Sequence, residues 1–326
     1  MRTTYSIGAV LLAATAAAGQ VQAQSPAQDL AGKVIKIVVP LAPGGSADLT
    51  ARLIANNLQK PLGANVIVEN RPGGGGQIGV EQVIQAAPNG QTLLISPNGY
   101  VTVMGGFRPD FPDPRKALAP ISLLVTVPVG IAVSAASPVK TVGEFVKLAK
   151  SKSANLSYSV PAIGTHMHLV GELFKMETGA DMQAVPYKGT GPAAAALVAG
   201  EVQATVSDMS SLLPQSRAGK VRILGMTDPR RSAVVPDIPT VAEQGVAGFG
   251  LSAWIGMFAP AGTPPQLVEA LNAEVKKILE RPEVRTALIT AGLDPSPNSI
   301  SDMAQVMDRD IRKWADVVKQ ASIKFQ

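Results

Sequence analysis

The sequence predicts an α/β protein of two similarly built lobes that face a shared cleft and are joined by hinge strands. Three observations predict it. Lys33 to Asn98 reads as β-α-β-α-β with glycine in both strand-to-helix turns. Leu156 to Asp208 repeats that punctuation. Strand-like runs at Pro120 to Val133 and Phe249 to Phe258 lie where a chain would pass from one lobe to the other and back.

The chain opens on a segment that reads as a signal for export. Arg2 is the sole charge before Asp29, and Ile7 to Ala18 is an apolar run too short to span a bilayer. Val21-Gln22-Ala23 then offers a small-x-small cleavage site, so residues 1–23 are expected to be removed. There is no cysteine, which excludes disulfides, thiol chemistry and a lipid-anchored cysteine. Together with the alanine-rich composition, this points to a bacterial periplasmic protein.

In the first unit, Val34 to Val39 is a β-branched strand and Leu49 to Leu58 an amphipathic helix. Asn65 to Asn70 is a second strand, Ile78 to Ala87 a second helix and Thr92 to Ile95 a third strand. The proline-punctuated run Phe107 to Pro114 is a surface loop. Pro128 breaks the run that would cross between lobes. Thr141 and Glu144 form a capping box for a helix over 142–150.

The second unit places strands at 156–160, 182–185 and 202–206, with helices at 168–178 and 192–199. Pro40, Gly45, Ala64, Gly90 and Ser96 match Pro161, Gly164, Ala180, Gly200 and Ser207 in the same order. After Asp208 come a strand at 221–226, a loop, a short helix at 240–244 and the return strand. Thr263 is expected to cap a helix over 266–280, and a last helix spans 301–322. The expected lobes are residues 30–125 with 250–326, and residues 126–249.

Charged residues are 16% and hydrophobic ones 46%, which suits a globular chain. The formal charge is +5, with Lys and Arg dispersed, and aromatics are 4%; no basic stripe or stacking surface for nucleic acid is present. Gly74-Gly75-Gly76-Gln77-Ile78-Gly79 fits G-x-G-x-x-G, but the next strand ends Ser96-Pro97-Asn98 without the acid a ribose requires. The two histidines, His166 and His168, diverge on a helix and make a poor metal pair. No cofactor or metal is expected.

The glycine turns carry the functional reading. Glycine lets a helix begin with bare N–H groups, which with the helix dipole attract an anion. Ala42, Gly44, Gly45 and Ser46 form the first such turn, and Gly75, Gly76 and Gln77 the second. Asp48 orients the first turn or meets ligand. Ser96 and Asn98 end the third strand. Ser159, Ala162, Gly164, Thr165 and His166 form the matching turn of the second unit, with Lys188 and Asp208 at later strand ends that open on the cleft. A rival reading is a hydrolase using Ser159 or Ser207 with His166.

Val38-Val39-Pro40-Leu41-Ala42-Pro43-Gly44-Gly45-Ser46-Ala47-Asp48, Val68 to Gly79, Ala87 to Leu94, Val185 to Gly189 and Ala259 to Pro264 together resemble the motifs of the Bug receptors. These are extracytoplasmic solute receptors of tripartite tricarboxylate transporters. The resemblance covers the chain after residue 23 and implies a type II periplasmic-binding-protein fold. It implies a monomer that closes like a flytrap on a small carboxylate and passes it to integral-membrane transporter subunits, or reports it to a sensor protein. It also implies that main-chain N–H groups and water hold the carboxylate in the first lobe. The Ser159 to His166 loop and the Asp208 region would tune selectivity. Leu41-Ala42 replaces the family's aromatic, Asn89 and Gln91 replace its usual Asp and Tyr, and His166 replaces a small hydroxyl residue. His168 matches the family histidine and is expected to be structural.

Overall fold

The computed structural model describes residues 29–103, 111–151 and 155–320. The expected signal segment, residues 1–23, lies outside the described residues, as do residues 107–110 of the expected 107–114 loop.

Strand β1 (Val34–Val39) leads through a glycine turn to helix α1 (Ser46–Leu62), then to β2 (Asn65–Asn70), α2 (Gln77–Ile84) and β3 (Thr92–Pro97). These three strands are parallel and β1 is central to them. Its side chains alternate between two cores. Ile35, Ile37 and Val39 meet Ala51, Ile54 and Leu58 of α1, while Val38 meets Val80 and Val83 of α2. The strand is covered on both faces only toward its carboxyl end, where Ile37, Val38 and Val39 are all buried; Val34 and Lys36 near its start are exposed. Helix α1 starts three residues before the expected Leu49 and carries Pro61 in its last turn.

A π-helical turn, Gly99–Val103, follows β3. Asp113 caps the short α3 (Pro114–Ala117), so the expected loop ends in a helix start. Strand β4 (Leu118–Val127) passes through Pro128 directly into β5 (Val129–Ser134) of a second sheet. There follow α4 (Val142–Ala149), β6 (Leu156–Val160), α5 (His166–Thr178), β7 (Met182–Pro186), α6 (Thr190–Ala199), β8 (Ala204–Asp208), α7 (Met209–Arg217) and β9 (Val221–Met226). The chain returns through β10 (Ala253–Pro260), then α8 (Pro265–Glu280), α9 (Pro282–Thr290), β11 (Asp294–Pro295) and α10 (Ile300–Gln320). Helices α7 and α9 and strand β11 were not anticipated. Pro214 interrupts the helical signal of the first, and Pro282 separates the second from α8.

The six-stranded sheet runs β11-β4-β10-β3-β1-β2 and the five-stranded one β7-β6-β8-β5-β9. Both contain the same core arrangement. β3, β1 and β2 correspond to β8, β6 and β7, and each trio is flanked by one antiparallel strand entering from the other lobe, β10 or β5. The turn geometry repeats as well: Arg71 N–H donates to Val39 O, and Tyr187 N–H donates to Val160 O, both at 2.8 Å.

The crossing segments are stitched together by Thr227. Its N–H and hydroxyl both donate to Val129 O, its hydroxyl also reaches Leu251 O, and its carbonyl accepts from Leu251 N–H. The expected strand over 249–258 begins instead at Ala253, because Phe249 to Ser252 belong to this junction. Helix α10 spans both lobes. Met303, Met307 and Ile311 pack with Val38, Trp254 and Phe258 of the first sheet. Trp314, one turn further on, meets His166 of α5 edge-on at 5.2 Å.

Thr227 is fully buried, so replacing it by valine takes the hydroxyl away from Leu251 O, while Val129 O keeps the N–H of residue 227. Thr227→Val is expected to lower unfolding free energy by about 1–3 kcal/mol, measured by urea denaturation.

Candidate functional site

The registers dictate where the strand ends point. Val127, the last residue of β4, pairs with Ala253, and Pro97, the last of β3, pairs with Ile255. On the other side Val129, the first residue of β5, pairs with Asp208, the last of β8. The carboxyl ends of β1, β2 and β3 and those of β6, β7 and β8 therefore converge on the same crossing segments. Five helices start at that convergence: α1, α2, α5, α6 and α7.

Their N-termini fall into two groups. A side chain caps α5, where Thr165 accepts from His168 N–H, and α7, where Asp208 accepts from Ser211 N–H at 3.0 Å. Glycine stands at the N-cap of α1, α2 and α6, and no side chain caps any of the three. An uncapped start leaves the first N–H groups without an intrahelical partner.

In the first turn Gly44 has φ +96°, a conformation that favours glycine. The Asp48 carboxylate folds back to accept Gly44 N–H at 3.0 Å, Asn70 Nδ2 at 3.1 Å and Arg52 Nε at 3.0 Å. Burial pushes this carboxyl up, and the bonds from Arg52, Gly44 and Asn70, with the Arg52 charge, outweigh that and hold it below its usual range. The Gly44 amide is thus already taken, and Asp48 shapes the turn. Ser46 and Ala47 keep amides with no acceptor among the described residues, and Ala42, Gly45 and Ser46 are exposed. Asn70 and Arg52 complete the turn without having been singled out in the sequence: the Asn70 Nδ2 contacts join segments more than 20 residues apart, whereas Arg52 pairs with Asp48 one helical turn earlier, a spacing that was legible.

The second turn differs from expectation. Gly76 N–H donates to Gly73 O and Gln77 N–H to Gly74 O, closing a 3-10 turn over Gly74–Gly76. Those two amides are spent on the turn itself, and Gly75 lies within it. The turn is tight because a Cβ at Gly76 would sit 2.2 Å from the Tyr100 ring. Ser96 and Asn98 are buried. The Ser96 hydroxyl donates to Pro97 O, and Asn98 Nδ2 donates to Ser252 O of the crossing segment, so both are structural.

The second lobe redistributes the expected residues further. The Thr165 hydroxyl donates to Ala162 O at 2.7 Å, and Gly164 N–H donates to His168 Nδ1 at 3.1 Å. His168 therefore carries its proton on Nε2, and burial lowers its pKa; it closes the loop as a neutral acceptor. Ser159 is buried and donates to Ala193 O and the Thr205 hydroxyl. Asp208 is engaged as the α7 cap and also accepts from the Ser210 hydroxyl. His166 is buried against Trp314 with neither ring nitrogen hydrogen-bonded among the described residues, and burial pushes its pKa down to about 3. It joins α5 to α10 instead of lining a turn. Neither Ser159 nor Ser207, whose hydroxyl meets Ser211, pairs with it, so the Ser–His arrangement of a hydrolase is not formed.

What remains open in the second lobe is the start of α6. Thr190 and Gly191 have amides without an acceptor among the described residues, and Pro192 has none to satisfy. Lys188 is exposed just before them and makes no ion pair among the described residues. The Gly189-Thr190-Gly191 triplet was the sequence signal for this position. Three of the exposed large hydrophobic side chains also sit at these helix starts: Leu49 (41% exposed), Ile78 (54%) and Ile163 (46%).

Two sheets of matching topology, joined by crossing strands with helix starts turned toward the junction, define a two-lobed solute-binding protein. The model of the tripartite tricarboxylate transporter family receptor matches residues 50–323, and the chain belongs to that family. It is 32% identical to protein BugT of Bordetella pertussis over 294 residues, 90% of each chain. Among solved structures it is similar to MatC of Rhodopseudomonas palustris with bound malate, at 34% identity and TM-score 0.73 over 88% of this chain and 99% of that one. It is likewise similar to R. palustris Rpa4515 with adipate, at 33% identity and TM-score 0.77 over 90% and 98%. No helix among the described residues is long and apolar enough to cross a membrane.

Because the Asp48 pKa is lowered on folding, its contribution to stability is present above about pH 4 and lost as pH falls through the folded value. Asp48→Asn is expected to lower the urea midpoint at pH 7, and the gap to wild type is expected to narrow toward pH 3.

Proposed function

We propose that the protein captures a small carboxylate in the periplasm and hands it to membrane transporter subunits, without chemical conversion of the ligand. Lobe one comprises residues 30–125 and 250–326, lobe two residues 126–249, and they turn about the crossing segments. The observation that carries this reading is the pair of glycine-capped helix starts, α1 and α6, in opposite lobes at facing strand ends. A carboxylate that accepts from Ser46 and Ala47 on one side and from Thr190 and Gly191 on the other satisfies both at once and favours the closed arrangement. Lys188 adds the matching charge. The carboxylates printed for the two relatives, malate and adipate, agree in class.

The exposed Leu49, Ile78 and Ile163 suit a ligand whose carbon body is apolar. Calorimetry across mono- and dicarboxylates is expected to rank alkyl or aromatic acids above polyhydroxylated ones. Absence of binding by every carboxylate, with turnover of an ester or amide instead, would refute the reading. A sharper test is Ser46→Pro. Proline is well tolerated at the first helical position, and Gly45 before it has φ −86° and ψ 176°, which proline accepts. The change removes one N–H and keeps the helix. Affinity is expected to fall roughly 10- to 100-fold, the worth of one hydrogen bond to a charged group.

A further inference from the structure

Asp228 and Asp294 form a feature that ligand binding does not use. Asp228 lies two residues past the end of β9, next to Thr227, at the junction of the crossing segments. Asp294 begins β11, the edge strand of the first sheet, opposite Thr126 near the end of β4. Each carboxyl has one buried oxygen without a hydrogen-bond partner among the described residues, Oδ2 of Asp228 and Oδ1 of Asp294. The other Asp294 oxygen accepts from the Ser232 hydroxyl at 2.5 Å. A buried carboxylate oxygen with no donor is costly; Ser232, four residues after Asp228, ties Asp294 to the segment that carries Asp228, and like charges at one junction disfavour joint ionisation.

We propose that Asp228 and Asp294 hold one proton between them across the hinge, and that releasing it loosens the crossing segments. Asp228 faces both of those segments, because the Ser252 side chain and the Val129 N–H interact with it. A proton on the pair removes the repulsion between the end of β9 and the edge of the first sheet. Loss of the proton sets two like charges against each other at the point about which the lobes turn.

The surrounding charges do not neutralise the pair. Burial pushes the Asp228 carboxyl up to about 7, Asp294 adds to the rise, and Ser252 and Val129 oppose it. Burial also raises Asp294, against Ser232, the Val234 and Ala233 amides and the charge of Arg285 on α9. Of the other nearby cations, Arg231 pairs with Glu243, and Lys313 of α10 donates to Gly250 O. A carboxyl whose folded pKa is raised contributes stability that is complete below its unfolded value near 4 and is lost as pH rises through about 7.

The test needs no ligand. Carbon-13 aspartate carboxyl shifts followed by NMR in the full chain should show one carboxyl titrating near neutrality, and Asp294→Asn should move that midpoint downward. Hydrogen-exchange protection at the Thr227 and Leu251 amides, corrected for intrinsic rates, should fall several-fold between pH 5.5 and 8 in wild type. In Asp228→Asn, which keeps the shape of the protonated acid, protection should not change with pH. If every aspartate titrates in the ordinary carboxylate range, the shared proton is refuted. Protection that is independent of pH in wild type, or equally pH-dependent in Asp228→Asn, refutes the link to the hinge. A failure of carboxylate binding would leave both readouts intact, so the two ideas fail separately.

Discussion

Every helix start must account for its first N–H groups, and that constraint organises this molecule. Five helices begin where the two sheets converge. Two spend those donors on the protein's own oxygens, Thr165 and Asp208. Three begin at glycine, and α2 consumes part of its supply in a 3-10 turn. The starts of α1 and α6, one in each lobe, keep their first amides free among the described residues. A receptor that recognises its ligand this way places few charges in the site, and the charged side chains closest to the turns are mostly committed: Asp48 to Arg52, Arg71 to Glu69.

The same accounting applies where the chain crosses between the lobes. Thr227 satisfies backbone groups on both crossing segments, and Asn98 satisfies Ser252. Buried polar atoms on His166, Trp314, Asp228 and Asp294 have no hydrogen-bond partner among the described residues. Buried polar groups without partners cost free energy wherever they occur. Here they cluster where one lobe meets the other. Helix α10 adds a strap, with its middle packed on the first sheet and Trp314 against α5 of the second lobe.

Much of the fold was legible because it rests on local patterns. β-Branched runs, glycine turns and the Thr141–Glu144 box reappear as strands, turns and a capped helix. The repeated punctuation of 33–98 and 156–208 corresponds to two sheets with the same strand order. The run broken at Pro128 passes between the sheets as expected. What escaped was weakly patterned: α7 with its internal proline, and the two-residue β11, which has no sequence signature of its own.

For the site, sequence alone determined the chemistry and the places where it could occur, because glycine at a strand-to-helix turn exposes main-chain donors whatever surrounds it. Only the tertiary structure decided which donors stay available. Asp48 reaches Gly44 and His168 reaches Gly164 across a turn, and Trp314 meets His166 from an element almost 150 residues away in the chain. Side chains that bond their own loop, or pack against a distant helix, leave no periodic trace in a sequence, since the contact depends on where two separate segments come to rest.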